Sequence, residues 1–394
     1  MIRKGHTPPN GSPIGWARCR RQNRVVTERT DPSDAVVTAD DADRLPATGG
    51  AGRLPTADGW WGFAAVILYT ILALLTAGVS TAEGHPEALL ALLAVPVAIV
   101  GRSRTWLFAA AIIIGGVWLR IAFTFFGDLT DQLIVSQAAF DVMLAGGNPY
   151  GIGYPESVPP GAPYPYGPLA MLWAPTWIWG EIAFGAATLV VIAWTRSWLT
   201  LSFYAAYWTI VDLSTAGLND VTPGFFITTG VLALKYKPWL GAVLLAVGAG
   251  FKPYVGAWFP GVVGVGGLRN LVVLIVASLV VWLPAWLAWG PLSMLKSFEL
   301  ARDVHPVSEN AINVPILRVL ALPIAIVALF LKPWWAAGIT GLAIFLIVLF
   351  FDFWASIGYL VAIAPITGIL VEMGIRHLQD RRREAAAPEA AAVA

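Results

Sequence analysis

The sequence predicts an all-α protein that crosses a membrane many times, and three observations carry that expectation. Of 394 residues, 57% are hydrophobic and only 12% charged, with a mean hydropathy of +0.70; soluble domains do not reach this balance. The apolar residues form long runs between Trp60 and Ile375. At about 20 residues per crossing, that stretch has room for about 12 transmembrane helices, in a range of roughly 10 to 13. These runs are continuous, without the alternating segments of about ten residues that mark a membrane barrel, so the spans are helical. A net charge of +1 gives no argument for nucleic acid. The lone cysteine, Cys19, supplies neither an internal disulfide nor a thiolate metal site.

Residues 1–59 mix basic and acidic side chains among Pro, Gly and Thr and contain no apolar run, which predicts a disordered cytoplasmic tail. They do not form a secretory signal, because the first apolar stretch lies too far behind the basic residues. Residues 60–375 form the transmembrane domain, with spans expected at 60–80, 87–101, 105–126, 168–195, 198–213, 222–234, 238–251, 254–267, 270–289, 313–331, 333–351 and 353–375. The segment 168–195 carries Gly180-Glu181 in its middle and reads as a re-entrant half-helix plus a short span. Residues 376–394, a basic cluster (Arg381, Arg382, Arg383) followed by an Ala-rich end, read as a second cytoplasmic tail.

Orientation follows from Lys and Arg in the short loops. With both tails inside, the cytoplasmic loops hold Arg102 and Arg104, Arg196, Lys235 and Lys237, Arg269, and Lys332. Every acidic residue between 60 and 375 except Glu181 and Glu372 then faces outward. Acidic residues contribute little to topology, so their segregation is a separate observation. It marks a working surface on the extracytoplasmic side of a cell (plasma) membrane, carried by two loops, 127–167 and 290–312.

The first loop opens with Asp128-Leu129-Thr130-Asp131 and continues into a predicted interfacial helix over Asp131 to Leu144, whose apolar face is Leu133, Ile134, Phe140, Met143 and Leu144. Asp128 and Asp131 have two readings, as helix caps or as a general base held at the bilayer surface. Next come Gly146-Gly147-Asn148-Pro149-Tyr150 and Tyr164-Pro165-Tyr166-Gly167-Pro168. Pro and Gly restrict this loop, while the tyrosines, Tyr154 included, serve either an aromatic belt or a stacking surface for sugar.

Outer cations are Arg120, Lys252, Lys296, Arg302 and Arg318, with His305 in the second loop. Each alone is explained by snorkelling to headgroups. Together on one acidic face they suggest a site for an anionic headgroup, a phosphate held by Lys252, Arg302 and Arg318 with His305 as a further donor. No phosphate loop, His-Glu-x-x-His or Gly-x-Ser-x-Gly motif occurs, and the histidines and the cysteine are too few for a zinc cage. No metal and no cofactor is expected.

An outer-loop aspartate, a short helix, Gly-x-Asn-Pro-Tyr and a Tyr/Pro run entering a span resemble the GT-C superfamily of polyprenyl-phosphate-sugar-dependent glycosyltransferases, and most of all glycosyltransferase family 87, the alpha-mannosyltransferase-like group. The residues that carry the resemblance are Asp131, Gly146, Asn148, Pro149 and Tyr150; Tyr164 to Pro168; Leu218-Asn219-Asp220; and Phe251-Lys252-Pro253-Tyr254. The family commonly shows Tyr-Pro-Pro and Gly-Gln-x-Asn where this chain has Tyr164-Pro165-Tyr166-Gly167-Pro168 and Gly217-Leu218-Asn219-Asp220.

The resemblance implies a GT-C-like fold and an inverting transfer of a sugar, mannose by preference, from a polyprenyl-phosphate donor to a glycan or glycolipid acceptor. Asp131, or Asp128 in its place, is then the base. Asn148, Tyr150, Tyr164, Tyr166, Asn219 and Asp220 fall where acceptor or sugar would bind, and the expected partners are these two substrates and membrane lipid. A transporter or flippase of lipid-linked sugars is the rival reading, with Glu181 as the clear intramembrane carboxylate such a carrier needs.

Overall fold

Lipid offers a backbone no hydrogen-bond partners, so an apolar chain must satisfy its own N–H and C=O groups, and helices do so within one segment. The computed structural model follows that rule. It describes residues 57, 59–124, 131–157, 160–176, 178–304, 314–351 and 358–393, without the side chains of Asp131, Arg302 and residues 384–393. All of them belong to one compact unit, Asp43–Ala394. The chain is an all-α membrane protein. Among the described residues the only sheet is a hairpin of β1 (Gly153–Tyr154) and β2 (Ala162–Pro163), paired Gly153 to Pro163 and Tyr154 to Ala162.

The helices are α1 (Trp60–Ala82), α2 (Ala94–Gly101), α3 (Thr105–Phe123), α4 (Asp131–Leu144), α5 (Pro168–Met171), α6 (Ile178–Trp194), α7 (Trp198–Ala206), α8 (Trp208–Thr215), α9 (Val221–Tyr236), α10 (Pro238–Phe251), α11 (Phe259–Trp289), α12 (Ser293–Val304), α13 (Ala321–Ala328), α14 (Trp334–Phe350) and α15 (Tyr359–Val393). Turns of 3₁₀ helix precede α2, α11 and α13. Among the described residues, four helical segments are long and apolar enough to cross a membrane: Trp60–Ala82, Thr105–Phe123, Pro253–Trp289 and Tyr359–Arg383. A fifth crossing results if Pro168–Thr176 and Ile178–Trp194, bent by 103°, act as one. That bend falls in the segment expected to be re-entrant.

Other expected spans are shorter helices. Pro238–Phe251 has 14 residues, about 21 Å against a hydrocarbon core of about 30 Å. In the other direction, Pro253–Trp289 is too long for one straight crossing, and it is broken at Gly267, whose φ of +61° is left-handed. Asn270 Nδ2 donates to the Val262 carbonyl at 3.1 Å. Those residues would lie about 12 Å apart along a continuous helix, so the chain bends sharply between them. The bend separates 254–267 from 270–289, where the sequence predicts two elements. The last helix differs from expectation: α15 runs through the basic cluster to Val393, because Arg, Glu and Ala are all strong helix formers.

Small residues let the helices approach. A side chain on Gly116 would meet Ala205 at 2.8 Å, joining α3 to α7, and one on Gly224 would meet Ala362 at 2.8 Å, joining α9 to α15. One apolar core surrounds α1, α3 and α7; a second joins α9, α10, α11, α14 and α15. A third, built on tyrosines, lies under the long loop.

Candidate functional site

The centre of the site is a buried ion pair. Lys252 follows α10, and its Nζ lies 2.7 Å from Asp220 Oδ1, with the two side chains 2% and 1% exposed. The ammonium also donates to the Leu218 carbonyl at 2.9 Å and to Gln132 Oε1 at 3.0 Å. Tyr166 and Tyr359 present ring faces to it at 5.0 and 5.5 Å, which adds cation–π attraction where water is excluded. Tyr254 Oη donates to the same Asp220 oxygen at 2.8 Å. Lys252, expected to meet a phosphate, therefore has an acceptor from the protein for each of its three hydrogens.

Five chain segments far apart in sequence make this centre, Tyr359 at the start of α15 among them. The turn 217–220 has left-handed backbone at Gly217 (φ +80°) and Asn219 (φ +44°), and Gly217 admits Leu133 of α4, which a Cβ would meet at 2.8 Å. Gly167 closes the Tyr/Pro run: its N–H donates to the Phe251 carbonyl at 3.0 Å, immediately before Lys252. Helix α4 supplies Gln132, so Asp131 at its start is one residue from a direct ligand of the ion pair.

Beneath lies a second buried carboxylate. Glu181 Oε2 accepts from the Val221 and Thr222 N–H groups at 2.9 and 3.2 Å, and Oε1 from the Thr222 hydroxyl. Helix α9 has no side-chain cap of its own at Asp220; the Glu181 carboxyl takes that role from α6 by accepting from the helix's first N–H groups. Glu181, Asn219 and Ser136 line a small cavity of about 10 Å³ between α4, α6 and the turn, on the scale of a single water molecule. Asn219 Oδ1 and Asp220 Oδ2 are buried without a hydrogen-bond partner.

The tyrosines pack into the loop. Tyr150 and Tyr164 rings lie 5.5 Å apart, Tyr164 and Tyr166 5.3 Å, and Tyr150 and Trp289 5.7 Å. Tyr164 is fully buried and donates to the Gly167 carbonyl at 2.8 Å; Tyr154 donates to the Pro149 carbonyl at 2.7 Å. Burial pushes the phenols of Tyr150, Tyr154 and Tyr164 above the ordinary tyrosine range, which keeps all three neutral. Asn148 accepts from the Tyr150 N–H at 3.0 Å and donates to Ser293 Oγ of α12 at 3.2 Å, joining the segments 127–167 and 290–312. Asn148, Tyr150 and Tyr164 thus shape the wall of the site through the loop's own packing; Tyr166, Asn219 and Asp220 reach its centre.

Asp128 and His305 lie outside the described residues, and Asp131 and Arg302 are described by backbone alone. Arg318 donates from Nε to the Phe351 carbonyl at the end of α14, at 3.2 Å. The predicted face of α4 also shifts: Leu133, Val135, Ser136 and Ala139 are buried, whereas Leu144 is 68% exposed. Small residues on that stripe allow the helix to sit close on the turn and on α5. The site residues beyond expectation are Gln132, Thr222, Tyr254 and Tyr359, while Glu181, singled out in the sequence for the carrier reading, lies at the site as a helix cap. Tyr254 belongs to the Phe251-Lys252-Pro253-Tyr254 motif and Gln132 adjoins Asp131, so sequence position gave a signal for both; Thr222 and Tyr359 gave none. No protein-family model, curated protein or solved structure matches the chain.

Proposed function

We propose that this protein is an integral membrane glycosyltransferase, GT-C-like with about 12 spans, that moves a sugar from a polyprenyl-phosphate monosaccharide to a hydroxyl of a glycan or glycolipid on the extracytoplasmic face. One observation carries the reading: the start of α4, the Tyr164–Pro168 run, the Asn219-Asp220 turn and the Lys252-Tyr254 turn all meet at one polar centre. Mannose is favoured by the family resemblance.

In the reaction so proposed, Asp131 takes the proton of the acceptor hydroxyl as its oxygen forms a bond to the anomeric carbon. The bond from that carbon to the phosphate oxygen breaks on the opposite face, with inversion, and polyprenyl phosphate leaves. Charge grows on the phosphate, and Arg302, Arg318 and His305 are the groups assigned to meet it. Lys252 is enclosed by protein acceptors and takes a different part. The carrier reading draws less support, since Glu181, the intramembrane carboxylate it needs, is engaged in capping α9.

Membranes containing Asp131→Asn, supplied with polyprenyl-phosphate mannose and acceptor lipid, should show transfer reduced by about a hundredfold or more at unchanged protein abundance, the contribution expected of a general base. Loss in Asp128→Asn alone would move the base to Asp128. Full activity in both variants would sink the glycosyl-transfer mechanism.

A further inference from the structure

The ion pair is asymmetric in a way that points to a ligand. Asp220 Oδ1 is held by Lys252 Nζ and Tyr254 Oη, which fixes the plane and direction of the carboxylate. Its other oxygen, Oδ2, is buried and unpartnered in a residue only 1% exposed. The preceding residue repeats the pattern, with Asn219 Oδ1 buried and unpartnered on a left-handed backbone. Both atoms are acceptors, and buried acceptors are costly to leave dry. The cavity of about 10 Å³ that Asn219 lines has room for one water molecule; Asp220 does not line it, and a group that meets its Oδ2 must supply hydrogen or positive charge. A cation would lie against the Lys252 ammonium and be repelled at short range. A hydroxyl group is neutral and donates.

We propose that Lys252 and Tyr254 are positioning residues that fix Asp220 so that its Oδ2 accepts a hydrogen bond from a hydroxyl of the sugar being transferred. This inference rests on the glycosyl-transfer reading and deepens it. Lys252 holds a carboxylate in place and does not bind the donor phosphate. Specificity for the sugar then resides in Asp220, because a site built to accept a hydroxyl hydrogen rejects an analogue that lacks it.

The test titrates full-length protein in lipid nanodiscs with polyprenyl-phosphate mannose, with analogues each lacking one sugar hydroxyl, and with sugar-free polyprenyl phosphate. Asp220→Asn and Lys252→Met should weaken binding of the complete donor about tenfold or more, the cost of a hydrogen bond to a charged acceptor. Both should abolish the preference for the complete donor over one of the deoxy analogues. Binding of sugar-free polyprenyl phosphate should stay unchanged, a pattern that general destabilisation would not give. Tyr254→Phe should act in the same direction by a smaller factor.

If Lys252→Met fails to fold because Asp220 is left buried without its counter-charge, Tyr254→Phe and the neutral pair Asp220→Asn with Lys252→Met carry the same test. Loss of sugar-free polyprenyl phosphate binding in Lys252→Met would make Lys252 a phosphate ligand and overturn the proposal. Discrimination among the deoxy analogues as strong in these variants as in the unaltered protein would also overturn it. An unaltered protein that binds neither polyprenyl phosphate nor the sugar donor would instead refute the glycosyl-transfer reading on which it rests.

Discussion

Arg120 and Glu181 show how an ionisable side chain buried among helices is held by backbone. Arg120 in α3 has no exposed surface and donates to the carbonyls of Gly116, Ala205 and Tyr204 at 3.0, 3.2 and 2.8 Å, with its guanidinium 5.1 Å from the Tyr204 ring. Helix α7 ends there, at Tyr207 with ψ of 119°, and its last carbonyls have no partner in their own helix. In hydrocarbon such groups must be met by protein, and Arg120 meets two while Thr76 takes the Ala206 carbonyl at 2.7 Å. Glu181 does the converse for N–H groups at the start of α9. The sequence reading of Arg120 as a snorkelling cation at an outer helix end misses this inward turn, because nothing near α7 announces that the helix stops. Arg120→Met keeps an apolar stem but leaves those carbonyls bare, so stability should fall by about 3 kcal/mol. Thermal unfolding in detergent reads this as a lower Tm, partly restored in Arg120→Lys, and an unchanged Tm in Arg120→Met would show that the carbonyls do not need the guanidinium.

Among elements, legibility depended on whether a break is encoded locally. Gly267 ends its helix by a conformation glycine favours, and the boundary at 267–270 was readable from Gly266-Gly267 and Arg269. The break at Tyr207 carries neither Gly nor Pro; tertiary caps hold it, so the sequence shows one span at 198–213 where α7 and α8 stand. The bounds of α4 were legible, but its buried stripe was not, since packing on the turn at 217–220 selected small residues over large apolar ones. The motifs were legible one by one, while their meeting depended on long-range contacts such as Gly167 on α10. A Cβ on Gly167 would lie 2.1 Å from the Gly250 carbonyl oxygen, a backbone atom that has little room to yield. Gly167→Ala should therefore push the Tyr/Pro run off α10, break the bond to the Phe251 carbonyl and destabilise by about 2 kcal/mol or more. In Gly78→Ala, where a Cβ meets nothing within 4 Å, stability should hold or rise slightly. Equal Tm values for the two variants would mean that the loop does not depend on that contact.

Across the whole molecule, charge divides the helices into two kinds of end. The α9–α10 hairpin has Lys235 and Lys237 at its turn and Asp220 with Lys252 at its open end. Helix α6 begins near Glu181 at the site and ends next to Arg196. At that far end Arg376 donates to the Arg196 carbonyl and to Glu372, and its guanidinium lies 5.2 Å from the Trp61 ring at the start of α1. Basic loops and site therefore lie at opposite ends of the same helices, a separation that comes from packing and not from any assumption about a membrane. Combined with the tendency of Lys and Arg to stay on the cytoplasmic side, it predicts that the site faces outward. In a Cys19→Ser background, Glu156→Cys in the long loop and Lys237→Cys in the hairpin turn place single thiols at two exposed positions. A membrane-impermeant maleimide added to intact cells should label Glu156→Cys and spare Lys237→Cys, with both labelled after permeabilisation. Labelling of Lys237→Cys alone would invert the protein and put the site on the cytoplasmic face, where a lipid-linked sugar presented outside the cell could not reach it.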